Sequence, residues 1–460
     1  MKVVVCVRQG LDGELSPFDA SAYEAALRLT GAEVTLLSMA PQSAKDFLLR
    51  LTRLGAKRAI LLCDKQFAGA DTLATAYALS LAVKRLEPQL VFCGRQTLVG
   101  DTGQTGPMLS LLSGRNLISN VMGIQQTEDH ILCTNRQRNR EAVRFPALLT
   151  LERIYDLRLP SILSRPGQVE VWDAEAVCAD PEKCGLNGSP TRVLESFENQ
   201  TGKRKCRFIS WEELPGVIAE AKQKHNVPVS AQNGAKTLAK VCIVGDTPLG
   251  FAQTVSEHIV LLPLAGAEEL AAAIQKEAPS AVLWGSDDLS KERAAKVSAL
   301  LGLGLCADCT RLEADGDTLV MYRPALAGTR IAKIVSRTRP AMATVRTEGR
   351  SSDVVVTAGW GVRDRIEAVQ AFAESLGAEL AASRKLVDSG ALPYALQVGL
   401  TGKTVSPPVY IAVGVSGAVH HIAGMERCGT VIAINPDKDA PIFQYADYGI
   451  LEEFSGEMHI

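Results

Sequence analysis

Short apolar runs separated by amphipathic stretches fill the first hundred positions. Residues 2–7, 33–38, 58–63 and 90–93 are β-branched and apolar, the pattern of strands covered on both faces, while 19–30, 42–54 and 71–86 carry apolar residues at helical spacing. This alternation predicts a parallel sheet wrapped by helices. One of these strands runs on as Phe92-Cys93-Gly94-Arg95-Gln96, where glycine frees the backbone and polar side chains follow. In open α/β sheets, ligands bind at such carboxyl ends.

The pattern repeats. Pro88-Gln89-Leu90-Val91-Phe92-Cys93-Gly94 is matched by Pro279-Ser280-Ala281-Val282-Leu283-Trp284-Gly285, and Phe145-Pro146-Ala147-Leu148-Leu149-Thr150 by Arg339-Pro340-Ala341-Met342-Ala343-Thr344, at nearly equal separation. Two matches in one register predict duplicated α/β domains, over 1–195 and 237–347. Between them, 196–236 reads as a linker with turn chemistry around one helix at 211–224. A third unit, 348–460, starts with a strand at 353–357, a tight turn at Ala358-Gly359-Trp360-Gly361 and a helix at 363–377, then alternates again through strands at 409–413 and 430–434. The fold class is therefore α/β, with two related parallel-sheet domains and a C-terminal doubly wound domain.

A length of 460 residues suits about three domains. With 47% hydrophobic and 22% charged residues the composition is that of a packed globular protein. Lys plus Arg, 49, nearly balances Asp plus Glu, 51, and no long basic stripe appears, which excludes a nucleic-acid binder held by phosphate contacts. The cluster Lys203-Arg204-Lys205 reads as solvated linker. The N-terminal apolar run is too short for a signal peptide, and no apolar stretch approaches the ~18 residues that span a bilayer. A cytoplasmic protein without membrane insertion is expected. Eleven cysteines then read as reduced, mostly buried thiols. Cys306-Ala307-Asp308-Cys309 is a CxxC, but no second pair or nearby histidine completes a zinc set, and structural cysteines are expected.

Two regions carry candidate chemistry. The loop from Gly94 through Gly100, Asp101, Thr102 and Gly103 to Gly106 leads from a strand into a helix, and its glycines, hydroxyls and helix start can aim N–H groups at phosphate. Without a Gly-Lys-Ser/Thr it is no Walker sequence. In the third unit, Gln397-Val398-Gly399-Leu400-Thr401-Gly402-Lys403-Thr404 and Gly414-Val415-Ser416-Gly417-Ala418-Val419-His420-His421 bring small and hydroxyl residues beside strands, as a cofactor's diphosphate and ring require. Adjacent histidines point to different sides of a helix, so a shared metal is not expected. No G-x-G-x-x-G with a following acidic residue marks a conventional Rossmann dehydrogenase.

Ser383-Arg384, the two loops just quoted, His421-Ile422-Ala423-Gly424-Met425, Ala433-Ile434-Asn435-Pro436-Asp437 and Ala440-Pro441-Ile442-Phe443-Gln444-Tyr445-Ala446-Asp447-Tyr448-Gly449 together resemble the FAD domain of the electron transfer flavoprotein alpha subunit. The first half is similar to the beta subunit through Val5-Cys6-Val7-Arg8-Gln9, Ser16-Pro17-Phe18-Asp19, Gly69-Ala70-Asp71-Thr72 and Gly94 to Gly106, and residues 184–193 to that subunit's C-terminal region. Gly304 to Thr310 with Arg323-Pro324-Ala325 resemble the alpha subunit's first domain. The resemblance implies beta fused to alpha: a beta-like nucleotide domain at 1–195, the linker, an alpha-like N-terminal domain at 237–347, and an FAD-binding domain at 348–460.

For the C-terminal domain the resemblance implies FAD held by Trp360, Ser383, Arg384, Gln397, Val398, Gly399, Leu400, Thr401, Ser416, Gly417, Ala418, Val419, His420, His421, Asn435, Asp447 and Glu453. Arg384 would lie beside the isoalloxazine, Thr401 near N5 and His421 near O2, where a cation and fixed donors would stabilise the anionic, one-electron-reduced ring. Trp360 stands where the family usually has arginine, which implies one cation fewer, and Leu400 where it usually has glutamine. The N-terminal half omits a segment normally found between Gln9 and Ser16. For the first domain the resemblance implies a site of Cys6, Ser16, Asp19, Met39, Gly94, Gln96, Gly100, Asp101, Thr102, Gln104 and Thr105 that holds either AMP or a second FAD. The implied function is an electron carrier that accepts electrons from flavin-dependent dehydrogenases and passes them to a redox acceptor protein. An electron-bifurcating protein that oxidises NADH through the second FAD, and a nucleotide-binding regulatory protein without flavin, are the alternatives. The FAD domain would swing about residues 347–352.

Overall fold

The computed structural model describes the chain except residues 11–12, 98–99, 101, 128–129, 136–138, 199–202, 226–235, 327–329, 347–351, 400–401, 404, 427 and 457–460. It forms two compact units. One comprises Met1–Ser196, Gly234–Leu326 and Ala332–Val345, the other Phe197–Asn233, Ala327–Ile331 and Arg346–Ile460.

The first unit begins with β1 (Lys2–Cys6), β2 (Glu33–Met39), β3 (Arg58–Leu62), β4 (Leu90–Gly94), β5 (Asn116–Gln126), β6 (His130–Asn135), β7 (Arg140–Arg144), β8 (Ala147–Leu151) and β9 (Gln168–Trp172). They make one sheet in the order β7-β6-β5-β8-β4-β1-β2-β3-β9. The apolar runs form its parallel centre, where Val3, Val4, Val5, Leu36, Leu37, Ile60 and Leu61 are buried. The expected helices form at Pro17–Arg28, at Lys45–Thr52 after a short 3-10 turn, and at Thr72–Leu86. Asp71 caps the last of these by accepting from the amides of Leu73 and Ala74. An antiparallel arm, β5-β6-β7, extends one edge.

After β10 (Thr191–Glu198) and β11 (Arg207–Phe208), the duplicate follows as β12 (Val241–Val244), β13 (Ile259–Leu262), β14 (Ala281–Trp284), β15 (Leu305–Cys309), β16 (Arg311–Asp315), β17 (Thr318–Ala325), β18 (Arg330–Ser336) and β19 (Ala341–Val345). Its sheet order, β13-β12-β14-β19-β15, repeats β2-β1-β4-β8-β5. The correspondence reaches single residues. Asn120 and Asp308 both have positive φ, 56° and 53°, at the same register shift of β5 against β8 and of β15 against β19. Their amides donate to equivalent hydroxyls, Thr150 Oγ1 at 2.9 Å and Thr344 Oγ1 at 2.8 Å. Strands β10, β18, β17 and β16 form a further sheet. Cys306 and Cys309 are buried in the core of this duplicate.

The second unit is doubly wound. With β20 (Val354–Ala358), β21 (Glu379–Ala382), β22 (Val409–Val413), β23 (Thr430–Ile434) and β24 (Tyr448–Ile450), its order is β11-β24-β23-β22-β20-β21, parallel throughout. Here the structure differs from the linker reading of 196–236: β11 extends this sheet, and the helix Leu214–His225 buries Leu214, Val217 and Ile218 in its core. Arg204, expected in solvent, donates to the carbonyls of Cys428 and Gly429 at 2.6 Å each and pairs with Asp447. The helix expected at 363–377 starts as a 3-10 turn, Trp360–Arg365, and becomes α-helical over Ile366–Ser375, because Val362 and Arg365 leave helical dihedrals. The hinge expected at 347–352 falls, but for Ser352, outside the described residues.

Candidate functional site

Chain reversal in the second unit lies between β20 and β22, so the crevice for a ligand opens past their carboxyl ends. The sequence candidates follow these strand ends: Trp360 after β20, Ser383 and Arg384 after β21, Ser416 to His421 after β22, Asn435 after β23 and Glu453 after β24. Gln397 joins them by a parallel bridge to Ala382, which carries Val398 and Gly399. Leu400 and Thr401 lie outside the described residues. Asp447 is a correction. It precedes β24, at the opposite end of a parallel sheet, and its carboxylate is taken up by Arg204 and by the Val431 amide at 2.8 Å. It braces the fold.

The loops approach so closely that side chains are excluded. A Cβ on Gly399, whose φ is +144°, would lie 2.8 Å from the His420 carbonyl oxygen. Asn435 ties two loops together, donating to the Val415 carbonyl at 3.0 Å and accepting from the Asp437 amide at 2.9 Å. Around this cradle Ser383 Oγ, His420 Nε2 and His421 Nδ1 are buried without a hydrogen-bond partner. Buried polar atoms left unpaired are costly and mark where a ligand completes the site. Glycine-lined backbone and unpaired donors and acceptors fit FAD.

Electrostatics refine the expectation. Burial pushes the His421 ring down to about 4, against a weaker favourable effect of the Val398 backbone, so His421 is neutral at pH 7. His420 is lowered by burial and then by Arg384. Arg384 is paired with Asp388 at 3.3 Å. Trp360, expected to leave the site one cation short, carries two on its ring: Lys385 Nζ at 4.5 Å and Arg363 Cζ at 5.3 Å from the centroid. Neither cation was singled out from the sequence.

His421 also sets an acid limb of stability. An unfolded histidine titrates near 6.5, so between pH 6.5 and 4 the unfolded chain binds a proton that the folded one refuses. Stability is therefore lost as pH falls through that window, by about 3 kcal/mol at its end. Urea unfolding followed by tryptophan fluorescence is expected to show this slope in the wild type and a flatter one in His421→Gln; equal slopes reject it.

In the first unit the corresponding reversal lies between β1 and β4. Cys6, Met39 and Gly94 are the last residues of β1, β2 and β4, and Ser16 and Asp19 come from the start of the helix Pro17–Arg28. Asp19 accepts from the amides of Arg8 at 2.9 Å and Gly94 at 3.2 Å. Burial pushes its carboxyl up to about 7, although those amides favour the ion. A side chain at Gly94 would meet Asp19 N and Phe18 C at 2.8 Å. Ser16 Oγ and both amide atoms of Gln104 are buried and unpaired, which leaves them able to bond a ligand. Gly100 is pinned through its carbonyl by Arg323 at 3.0 Å, a contact the sequence did not suggest. Thr105 opens the helix Thr105–Leu112. Asp101 lies outside the described residues. Gln96 and Thr102 line a cavity of about 30 Å3 shared with Ser119, Asn120, Lys291 and Asp308, room for an ordered water rather than a nucleotide.

The same unit carries an unexpected surface. Leu159, Ile162 and Leu163 are 90%, 96% and 89% exposed. Their loop is fixed at its base, where Ser21 Oγ receives the amides of Ile154 and Tyr155 and Arg158 grips Glu24 through Nε and Nη2, each at 2.9 Å.

Comparison with known proteins identifies the family. The family model for the electron transfer flavoprotein domain matches residues 3–176 and 256–353, and that for the electron transfer flavoprotein FAD-binding domain matches 350–426. The chain is 37% identical over 227 residues to Protein FixA of Azorhizobium caulinodans, covering 45% of this chain and 81% of that one. It is 37% identical over 212 residues to the electron transfer flavoprotein subunit beta of Megasphaera elsdenii, covering 42% and 78%. With the subunit alpha of Thermoanaerobacterium thermosaccharolyticum it shares 32% identity over 282 residues, covering 49% and 81%. The chain belongs to the electron transfer flavoprotein family, and its relatives support an electron-carrier role. Among the described residues no helix is long and apolar enough to cross a membrane.

Proposed function

We propose that this chain is a beta subunit and an alpha subunit fused end to end, and that it accepts electrons from flavin-dependent dehydrogenases and delivers them to a redox acceptor protein. Relatives of both subunit types, each covering about half of the chain, support the fusion. Supporting the carrier reading above all is the cluster of buried, unpaired Ser383 Oγ, His420 Nε2 and His421 Nδ1 at the doubly wound switch point.

FAD, when bound there, supplies the one- and two-electron chemistry. The protein's residues orient and tune. Gly399 and Gly417 let backbone approach the cofactor, Ser383 donates a hydrogen bond, Arg384 supplies positive charge, and neutral His421 offers an N–H rather than an ion. Lys385 and Arg363, held on Trp360, place further positive charge beside the crevice. The first unit, in this reading, holds AMP through Ser16, Asp19 and Gln104. The exposed Leu159, Ile162 and Leu163 dock the dehydrogenase, because monomeric proteins rarely leave large apolar side chains grouped in water.

Release of ligands from denatured protein tests the reading. One FAD and one AMP per chain are expected. Two FAD would replace the simple carrier by the bifurcating alternative, and a colourless protein that cannot be reconstituted would leave the flavin-free regulatory one.

A further inference from the structure

The strand β22 reads Val409-Tyr410-Ile411-Ala412-Val413 and is buried along its length. A phenol in the centre of such a strand must find a partner or bear the cost of an unpaired hydroxyl. It finds His421, whose Nε2 lies 2.8 Å from Tyr410 Oη. Burial holds the Tyr410 phenol well above its ordinary pKa, so it keeps its proton. Thr357 Oγ1, fully buried on the neighbouring strand β20, makes no hydrogen bond, so the imidazole is the partner that the phenol has. The phenol proton is then directed at the imidazole. Nε2 accepts it, and a neutral ring that accepts at Nε2 carries its hydrogen on Nδ1. Nδ1 is the ring atom left buried without a hydrogen-bond partner, and the Val398 backbone beside the ring favours a proton on it.

We propose that Tyr410 is a positioning residue of the flavin site: its phenol donates to His421 Nε2 and locks the imidazole in the Nδ1–H form, which presents a fixed, uncharged hydrogen-bond donor to the cofactor. This rests on the reading of the second unit as an FAD site. The consequence is specific. A donor fixed in advance pays no reorganisation when negative charge builds up on the ring, so reduced flavin is bound more tightly than oxidised flavin. Without Tyr410 the imidazole is free to choose either tautomer, and the donor is partly lost.

Two measurements on the flavin-loaded protein test it. In 15N spectra of histidine-labelled protein, which contains six histidines, His421 is expected as the neutral Nδ1–H tautomer; an Nε2–H tautomer or an imidazolium at pH 7 overturns the proposal, whatever any variant does. Spectroelectrochemical titration is expected to show that Tyr410→Phe, which keeps the ring and its packing, lowers the preference for reduced over oxidised flavin by about tenfold, the loss of roughly one hydrogen bond. The same change placed in His421→Gln is expected to add nothing, because Tyr410 acts through His421. An unchanged potential in Tyr410→Phe, or an equal shift in both backgrounds, rejects the role. Wild-type protein that binds no FAD would instead reject the site reading.

Discussion

Gly417→Ala is expected to leave the protein nearly colourless. Gly417 sits at φ +89° in the turn after β22, and a Cβ there would overlap the Ile442 amide nitrogen and lie 2.6 Å from Ile442 Cα and 2.7 Å from Pro441 C. All three are backbone atoms, so no side chain can swing aside. The turn must move, and the bond from the Ile442 amide to the Ser416 carbonyl, 3.1 Å long, goes with it. Ser416 and Ala418 then leave the crevice, and Ala418 O, which receives the His421 amide at 2.8 Å, draws the imidazole away from its place. Lost contacts together with left-handed strain amount to at least about 2 kcal/mol, a fall in FAD affinity of roughly 30-fold or more. Gly390→Ala is the control. Its φ is +79°, but nothing lies within 4 Å of the added carbon, so a modest loss of stability with full flavin content is expected. Absorbance at the flavin band per chain reads both; equal flavin content in the two variants would sink the assignment of the turn.

That contrast shows which parts of the molecule the chain announces locally. The central parallel strands β1 to β4, β20, β22 and β23 were legible because each is an apolar run, and the duplication because Pro88 and Pro146 recur as Pro279 and Pro340 in register. Strands β5 to β7, β16 and β18 were not: they are largely half exposed and mix Arg, Glu and Thr with apolar residues, and β6, β7 and β16 are fixed by antiparallel pairing. The same limit governs the site. Ser383, His420 and His421 could be named from their loops, but Tyr410 was invisible, since a tyrosine in an apolar strand reads as core until the register shows what its hydroxyl meets. Asp447 erred in the other direction: only the direction of β24 reveals that it stands at the wrong end of the sheet. The segment 196–236 looked like a linker because its composition is polar, whereas a two-residue strand and one amphipathic helix suffice to dock much of it.

Replacing Leu159, Ile162 and Leu163 together by serine is expected to cut the rate of reduction by a flavin-dependent dehydrogenase about 100-fold or more while leaving bound flavin, its spectrum and chemical reduction by dithionite unchanged. The argument begins with what the loop does not do. Side chains about nine-tenths exposed contribute little to the folded state, so their removal costs the fold little. Their base is nonetheless rigid: Glu24, though buried against its charge, is held down at about 2 by hydrogen bonds from Arg158 and Arg28, and Ser21 fixes the backbone before them. A rigid base with an apolar tip loses little conformational entropy on docking, which is the condition under which apolar contact turns into affinity. Burying even part of three such side chains in a partner is worth about 3 kcal/mol, hence the expected factor. Arg158→Ala separates rigidity from contact: it keeps all three apolar groups but frees the base, and a smaller loss is expected. Above pH 4.5 the Glu24 pairing is fully present and it fades as pH falls toward 2, so the effect of Arg158→Ala is to be measured near neutrality. A serine variant that accepts electrons as fast as the wild type would remove the loop from the docking surface and leave the flavin site untouched.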